Sequence, residues 1–208
     1  MIPLFVGLTG RRIIIFGGGE VAARKAKYFA READVRVISR SHGKAVAELP
    51  VTCIVRDLQG VTDEDLEEAV RGAFIVIAAL PDRNLNNRIG TVCRRQEILF
   101  NNADGECGDL IVPSVSSGRN YTIAVSTLGK SPAISRFIRE HLDSTFVRLD
   151  EMIELQDILR RHLRKTESSR EKRSAILRDM ARDPEIWDAL SRSLQDAEDL
   201  AKRRYLDG

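Results

Sequence analysis

The sequence predicts an α/β fold with a doubly wound parallel sheet, followed by a small β-rich segment and a helical C-terminal domain. Short apolar runs alternate with helix-forming stretches through roughly the first half of the chain, as in consecutive βα units. Two short runs then flank a turn sequence, and the remainder is helical and highly charged. We expect three domains, at residues 1–110, 111–147 and 148–208.

The first βα unit carries a glycine-rich turn. A β-branched run at residues 13–16 ends in Gly17, Gly18 and Gly19, and a helix-forming stretch follows. The spacing Gly17-x-Gly19-x-x-Ala22 is typical of a Rossmann-type dinucleotide site, in which the glycines allow the tight turn and the approach of the pyrophosphate. Such a turn also occurs without a ligand, but the strand before it and the helix after it favour dinucleotide binding.

Further strands are predicted on either side of this unit. The run at residues 73–79 is nearly all apolar, which is typical of a strand buried on both faces. Thr62 and Asp65 predict a capping box at one helix start, and Asp82 is expected to cap another helix. The other predicted strands cover residues 2–8, 35–38, 51–55 and 98–100.

The second predicted strand ends without an acidic residue. In NAD sites an Asp or Glu often follows this strand and binds the ribose hydroxyls. Ser39, Arg40 and Ser41 occupy these positions here. Arg40 either faces a 2′-phosphate, which would favour NADP, or is an exposed loop arginine, so NAD and NADP are both open at this point.

The second half of the chain begins with a predicted hairpin. Residues 110–116 and 121–126 are expected to pair across a turn. Ser131 is a predicted N-cap and Pro132 the first residue of the helix that follows. This helix is expected to turn Ile134, Phe137, Ile138 and Leu142 inward.

From residue 149 onward the chain is predicted to be helical and highly charged, with two apolar stripes. Ser168 with Glu171 and Asp183 with Pro184 predict helix starts. The predicted stripes are Met152, Ile153, Gln156, Leu159 and Leu163, and then Trp187, Leu190, Leu194, Ala197 and Ala201.

The composition restricts the classes of function. Basic and acidic residues nearly cancel to a net charge of +2, which gives no electrostatic case for nucleic acid or a membrane surface. Cys53, Cys93 and Cys107 lack a C-x-x-C spacing and are expected to be free thiols in a reducing compartment. No signal peptide or membrane span of about 20 apolar residues is found, so we expect a cytoplasmic protein. The histidines, at positions 42, 141 and 162, show no ligand spacing, so no bound metal is expected.

Taken together, these blocks resemble the precorrin-2 dehydrogenase family, the N-terminal module of siroheme synthases. The resemblance covers about residues 3–145, and the matching blocks stand in the family's order. They are Gly17-Gly18-Gly19-x-Val21-Ala22-x-x-Lys25, Ala78-Ala79, Asn86, Asn102-x-Asp104, Pro113, and Ala124-Val125-Ser126-Thr127-x-Gly129-Lys130-Ser131-Pro132. The last block is the most distinctive, and the C-terminal residues match only in being helical.

The resemblance implies an oxidoreductase of siroheme biosynthesis that dehydrogenates precorrin-2 to sirohydrochlorin with NAD. It implies a homodimer formed through the β-rich segment, and Asp104 as the catalytic general base. Some members also act as ferrochelatases, with Fe²⁺ as a substrate, and the sequence leaves that activity open. The implied cofactor contacts are Gly17, Gly18, Gly19, Glu20, Val21, Ala22, Ser39, Arg40, Ala79, Leu80, Asn86 and Asn102. The implied contacts to the octacarboxylate substrate are Ser126, Thr127, Lys130 and Ser131.

Each of these assignments has a structural alternative. Asp104 would be a turn or helix cap, and Lys130 a solvated lysine beside a capped helix. The competing function is a nucleotide-sensing binding module that regulates a partner through its helical tail. A buried, capping Asp104 would favour that reading.

Overall fold

The computed structural model describes residues 1–104 and 108–206. They form two compact units, Met1–Val112 and Pro113–Gly208. Cys53 and Cys93 are free thiols, as predicted, whereas Cys107 lies outside the described residues. No helix among the described residues is long and apolar enough to cross a membrane.

The first unit is a parallel sheet with helices on both faces, which confirms the predicted α/β class. Its strands lie in the order β3-β2-β1-β4-β5. The chain therefore adds β2 and β3 on one side of β1 and then crosses back to add β4 and β5 on the other side of β1. In such sheets, ligands bind at the carboxyl edge where the order reverses, here between β1 and β4. The strands are β1 (Arg12–Phe16), β2 (Asp34–Ser39), β3 (Thr52–Val55), β4 (Ile75–Ala78) and β5 (Leu99–Asn102).

Strand β1 shows why this sheet is covered on both sides. Ile13 and Ile15 belong to one buried apolar cluster, and Ile14 and Phe16 belong to another. Because successive side chains of a strand point to opposite faces, the two clusters lie on opposite faces of the sheet. Helix α1 buries Ala22 and Phe29 in the first cluster, and helices α3 and α4 contribute to the second. The helices are α1 (Glu20–Phe29), α2 (Lys44–Ala47), α3 (Asp63–Val70) and α4 (Arg83–Arg95).

Two predicted helix starts in this unit are confirmed. The Thr62 hydroxyl accepts the backbone N–H of Asp65, and the Asp65 carboxylate accepts that of Thr62, which forms a capping box. The Asp82 carboxylate accepts the N–H groups of Asn84 and Leu85 at 2.9 and 3.1 Å.

The predicted strand at residues 2–8 is wrong. The segment pairs with no strand in the described parts of the chain, and most of its apolar side chains are exposed. Pro3 has no N–H group to give to a β-ladder. The segment is instead anchored at its end, where the Leu8 N–H donates to Glu32 Oε1 at 2.9 Å.

The second unit begins with the predicted hairpin and ends in a group of packed helices. Strands β6 (Ser114–Ser117) and β7 (Thr122–Val125) are antiparallel, and α5 (Pro132–Thr145) packs against them. The remaining helices share a core that includes Met152, Leu155, Leu159, Met180 and Ile186. These helices are α6 (Leu149–Thr166), α7 (Arg170–Arg182), α8 (Pro184–Arg192) and α9 (Leu194–Tyr205).

Three local predictions in this unit need correction. The apolar stripe after Pro184 belongs to two helices, because Ser193 is extended and its hydroxyl caps α9 by accepting the Asp196 N–H at 3.0 Å. The cap of α7 is Ser169, one residue later than predicted. In α6, Leu155 is fully buried although the predicted stripe omits it, whereas Ile153, which the stripe includes, is only half-buried.

The predicted inward face of α5 is also wrong. Ile134 and Ile138 are exposed, and the Phe137 side chain is 65% exposed. Ser135 is the residue of this helix that is buried, because its small side chain lies against the loop after β7. The apolar face of α5 is therefore left open in the single chain.

Candidate functional site

The glycine turn joins β1 to α1 at the carboxyl edge of the sheet. Gly17 has a φ of 123°, which favours glycine, and a Cβ there would overlap the carbonyl of Ala79. A Cβ on Gly18 would overlap the carbonyl of Ser41, and the Gly18 carbonyl accepts the Gly43 N–H at 2.9 Å. Both glycines are therefore required for the ends of β1, β2 and β4 to approach one another.

Gly19 has a different role in this turn. Its φ of −90° is open to any residue, and a Cβ there would meet no atom within 4 Å. Gly19 is also the N-cap of α1, where no side chain caps the helix. The first N–H groups of a helix lack intrahelical partners, so this helix start faces open space with unpaired donors and a positive dipole end. These are the properties of a phosphate-binding position.

The end of β2 offers a hydroxyl and a guanidinium group beside this turn. A Cβ on Gly18 would lie 2.9 Å from Ser39 Oγ, so Ser39 borders the glycines directly. Arg40 is exposed, and in the described part of the chain it makes no ion pair. His42 turns away, with Nε2 3.1 Å from the Val37 carbonyl.

Asn86 fixes the loop after β4. Its side chain is fully buried, and its Oδ1 accepts the Leu80 N–H at 3.2 Å while its Nδ2 donates to the Leu80 carbonyl at 2.9 Å. Both ends of the carboxamide are thus used to shape this loop. Asn86 contributes to the site by positioning Leu80, one residue beyond the Ala79 carbonyl that packs on Gly17.

Asp104 follows β5 at the same edge of the sheet. Its N–H donates to Asn102 Oδ1 at 3.2 Å, and its carboxylate oxygens lie 3.2 and 3.4 Å from the guanidinium group of Arg83. The side chain is 55% exposed, and within residues 1–104 and 108–206 no backbone N–H donates to it. Among the described residues, Asp104 is therefore an accessible carboxylate with Arg83 as its partner. Residues 105–107, whose N–H groups a cap at Asp104 would use, lie outside the described residues.

Sequence reasoning missed Arg83. The sequence predicts that Arg83 lies at the start of a helix, directly after the cap residue Asp82. Its contact with Asp104 could not be predicted, because it depends on the pairing of β4 with β5, which brings the start of α4 beside the residues that follow β5.

A buried polar chain links α1 to β5 and was also missed. Lys25 Nζ donates to Asn101 Oδ1 at 2.8 Å, and Asn101 Nδ2 donates to the Leu110 carbonyl at 2.8 Å. Burial, with a smaller effect from the Arg24 charge, lowers the pKa of Lys25 to about 8. The only sequence signal was the place of Lys25 in the family motif. These hydrogen bonds hold α1 against β5.

Replacing Lys25 by methionine should change how stability depends on pH. Between pH 8 and 10.5 the unfolded chain binds more protons at Lys25 than the folded chain does, so the free energy of unfolding should rise with pH in this window. Lys25→Met should remove that part of the rise. Urea unfolding at the two ends of the window measures it, with Lys27→Met on the exposed face of α1 as the control. Equal slopes for Lys25→Met and the wild type would contradict the lowered pKa.

In the second unit, Thr127 holds the loop between β7 and α5. Its hydroxyl donates to the Ser131 carbonyl and accepts the Ser131 N–H, both at 2.9 Å. Its own N–H donates to the hydroxyl of Ser135 at 3.2 Å. Leu128 and Gly129 have positive φ values of 54° and 82°, so the loop is tightly turned. The Thr127 hydroxyl, which was predicted to bind substrate, is therefore used in hydrogen bonds that shape the loop.

The other predicted substrate residues of this loop divide into two kinds. Ser131 is the N-cap of α5 and accepts the Ile134 N–H at 3.3 Å, as its sequence position predicted. Ser126 accepts the Leu128 N–H at 3.0 Å but is exposed. Lys130 is exposed and forms no ion pair with any described residue. Ser126 and Lys130 are thus the groups of this loop that remain accessible to a ligand.

The predicted site residues therefore fall into two groups. The carboxyl edge of the first unit brings together Gly17, Gly18, Gly19, Ser39, Arg40, Ala79, Leu80, Asn86, Asn102 and Asp104. Glu20 and Val21 lie exposed in the first turn of α1, and Ala22 is buried beneath it. Ser126, Thr127, Lys130 and Ser131 share one loop of the second unit. Among the described residues no three His, Cys, Asp or Glu side chains are grouped as metal ligands.

Known proteins with similar sequences agree with this geometry. A family model described as putative NAD(P)-binding matches residues 4–114, which include the whole glycine turn and Asp104. The chain is 36% identical to a precorrin-2 dehydrogenase of Methanosarcina barkeri over 98% of its own length and 92% of that protein. It is 35% identical to a siroheme synthase of Photorhabdus laumondii over 69% of its length, which corresponds to only 30% of that longer protein.

A solved structure supports the fold. The structure titled SirC, precorrin-2 dehydrogenase, superposes with a TM-score of 0.66 over 86% of this chain and 89% of the other, at 23% identity. The fold is therefore shared along most of both chains. With a relative that matches from end to end at 36% identity, and with the family's motifs in place at the sheet edge, the chain belongs to the precorrin-2 dehydrogenase family.

Proposed function

We propose that this protein is a precorrin-2 dehydrogenase, an enzyme of siroheme biosynthesis that oxidises precorrin-2 to sirohydrochlorin with NAD. The observation that carries the proposal is the composition of the carboxyl edge. The open helix start at Gly19 and the accessible carboxylate of Asp104 lie at one edge of one sheet. The end-to-end relative is named for this reaction.

The site has the groups that the reaction needs. Dehydrogenation removes a hydride and a proton from the substrate, and a bound nicotinamide accepts the hydride. The N–H groups at the start of α1 hold the pyrophosphate, and Ser39 and Arg40 lie where the ribose is bound. Asp104 is the base that accepts the proton, and its carboxylate is 55% exposed at this edge of the sheet, with Arg83 as its partner among the described residues.

The direct test is to incubate the purified protein with precorrin-2 and NAD and to follow the visible spectrum of sirohydrochlorin. Reduction of one NAD for each sirohydrochlorin formed would support the proposal. If neither NAD nor NADP yields sirohydrochlorin, the proposed function is wrong. Tight dinucleotide binding without turnover would instead support the nucleotide-sensing module.

We propose NAD as the natural acceptor, and Arg40 provides the test. Its exposed guanidinium group follows β2, at the position expected to face the 2′-phosphate of NADP. Arg40→Gln should leave NAD affinity within about twofold, because NAD carries no charge at that position. The affinity for NADP should fall by more than twofold. Titration calorimetry with both dinucleotides measures this, and a wild type that prefers NADP would overturn the assignment of NAD.

We also propose that residues 111–147 form a dimerisation segment and that residues 148–208 form a helical domain. The support is the open apolar face of α5, where Ile134, Phe137 and Ile138 are exposed side by side. Contiguous apolar patches of this kind are uncommon on monomers and often mark protein interfaces. A second copy of the chain would cover them.

Phe137→Glu should therefore convert a dimer into a monomer. A buried charge at the centre of an apolar interface is left unpaired, which costs several kcal/mol of association energy. Sedimentation at micromolar concentration should give about twice the chain mass of 23.3 kDa for the wild type and the single chain mass for the variant. Phe5→Glu, at another exposed aromatic residue, is the control. A monomeric wild type would contradict the proposed dimer.

A further inference from the structure

A cavity lies in the helical part of the second unit. It is a cleft of about 920 Å³ between α6 and α7, and it contains none of the residues assigned so far. Small-molecule sites in proteins usually measure about 300–1,000 Å³. The cleft is thus large enough for a bulky organic ligand.

The cleft has an apolar floor and a basic rim. Leu163 at the floor is 2% exposed, and Ile153, Leu177 and Leu194 beside it are half-buried. Five arginines contribute to the lining, two from α7 and three from the end of α6. They are Arg160, Arg161, Arg164, Arg170 and Arg173.

Most of this positive charge is not neutralised. Arg161 pairs with Asp157 at 3.3 Å, and Arg173 donates to the carbonyls of Glu167 and Ser168. Arg160, Arg164 and Arg170 are exposed, and in the described residues they form no ion pair.

The acids of the cleft are already engaged. Asp157 has Arg161 as its partner, and Glu154 pairs with Arg119 at 3.0 Å and accepts an N–H of Asn120. Elsewhere in this unit some helix arginines are paired, as Arg192 is with Asp188 at 2.7 Å, whereas Arg178 and Arg182 are exposed without an ion pair among the described residues. What distinguishes the cleft is that its unpaired arginines surround an apolar floor.

We propose that this cleft binds a polycarboxylate tetrapyrrole, the class of the proposed substrate and product. The choice of ligand rests on the proposed function, and the location of the binding site rests on the cleft. A tetrapyrrole has an apolar macrocycle with carboxylates around its rim, which matches an apolar floor surrounded by guanidinium groups. Arginine binds carboxylates with two parallel hydrogen bonds. A small inorganic anion would use the rim but leave the floor uncovered.

Hydrogen–deuterium exchange of the full chain tests the location of this site. The probe is uroporphyrin, an octacarboxylate porphyrin, and pyrophosphate is the comparison anion. Uroporphyrin should slow exchange in peptides from the end of α6 and the start of α7. Binding elsewhere would leave these peptides unchanged, which would overturn the proposal, and equal protection by pyrophosphate would replace it with a general anion site.

Two triple variants test the role of the arginines. Arg160→Gln, Arg164→Gln and Arg170→Gln together should weaken uroporphyrin binding about tenfold, as expected from the loss of three exposed ion pairs, and should remove the protection. The control combines Arg178→Gln, Arg182→Gln and Arg203→Gln, which removes three charges from exposed arginines outside the cleft. This variant should retain both the affinity for uroporphyrin and the protection from exchange. Equal effects of the two triples would overturn the proposal. Dehydrogenation by the wild type is assayed separately, so failure of the proposed function and failure of the cleft give different results.

Discussion

Gly19→Val should abolish dinucleotide binding and leave the fold intact. The branched side chain would fill the open space before α1, where the pyrophosphate has to meet the N–H groups of the helix. Loss of two hydrogen bonds to a charged group, at about 1.5–3 kcal/mol each, predicts NAD affinity at least about 100-fold weaker. Titration calorimetry measures the affinity, and thermal unfolding without cofactor reports on the fold.

This position separates binding from folding better than its neighbours do. At Gly17 and Gly18 any side chain would overlap a backbone carbonyl, so loss of binding there would also reflect a distorted turn. Gly19 has an ordinary φ and free space, so valine should cost only about 1 kcal/mol of stability. Gly19→Ala gives an intermediate size for comparison. Unchanged NAD affinity in Gly19→Val would mean that the turn is not the cofactor site.

Asp104→Asn should nearly eliminate turnover. Asparagine keeps the shape of the side chain but cannot take up the substrate proton, and the loss of a general base typically costs about 100- to 10,000-fold in rate. NAD affinity should stay within about threefold, because Asp104 follows β5, which β4 separates from β1 and the start of α1, and separated sites usually act independently. Single-turnover measurement of sirohydrochlorin formation checks the rate.

Arg83→Gln is the partner control for this experiment. It removes the cation that faces Asp104 and leaves the carboxylate in place. If the ion pair were purely structural, Arg83→Gln and Asp104→Asn would have equal effects on turnover. As a base, Asp104 should matter far more than Arg83. Full activity of Asp104→Asn would rule out its catalytic role.

Most of the first unit could be predicted from sequence because its signals are local. Buried parallel strands appear as apolar runs, and the helix starts at Thr62 and Asp82 are marked by residues that cap through their own side chains. The helix break at Ser193 was missed because the apolar stripe continues across it, although serine is a favoured N-cap residue.

The contacts within the candidate site were less predictable because they depend on pairing between distant strands. Asn86 could be placed near the cofactor, but its bonds to Leu80 depend on the path of the loop after β4. The contact of Lys25 with Asn101 joins residues 76 positions apart. The open face of α5 has the apolar pattern of a core helix, and sequence alone does not distinguish a core from an interface.

With the proposed cofactor site at the start of α1, the missing cap there would tie the stability of the enzyme to the supply of its cofactor. Six other helices begin at side chains that cap them, namely Thr62, Asp82, Ser131, Ser169, Asp183 and Ser193. Helices α1, α2 and α6 begin without such a cap, and the donors at the start of α1 are the groups proposed to bind the phosphates of a dinucleotide. By mass action, cofactor at 100 times its dissociation constant adds about 2.7 kcal/mol to the free energy of unfolding. A cell depleted of the dinucleotide would therefore hold a less durable enzyme as well as a slower one.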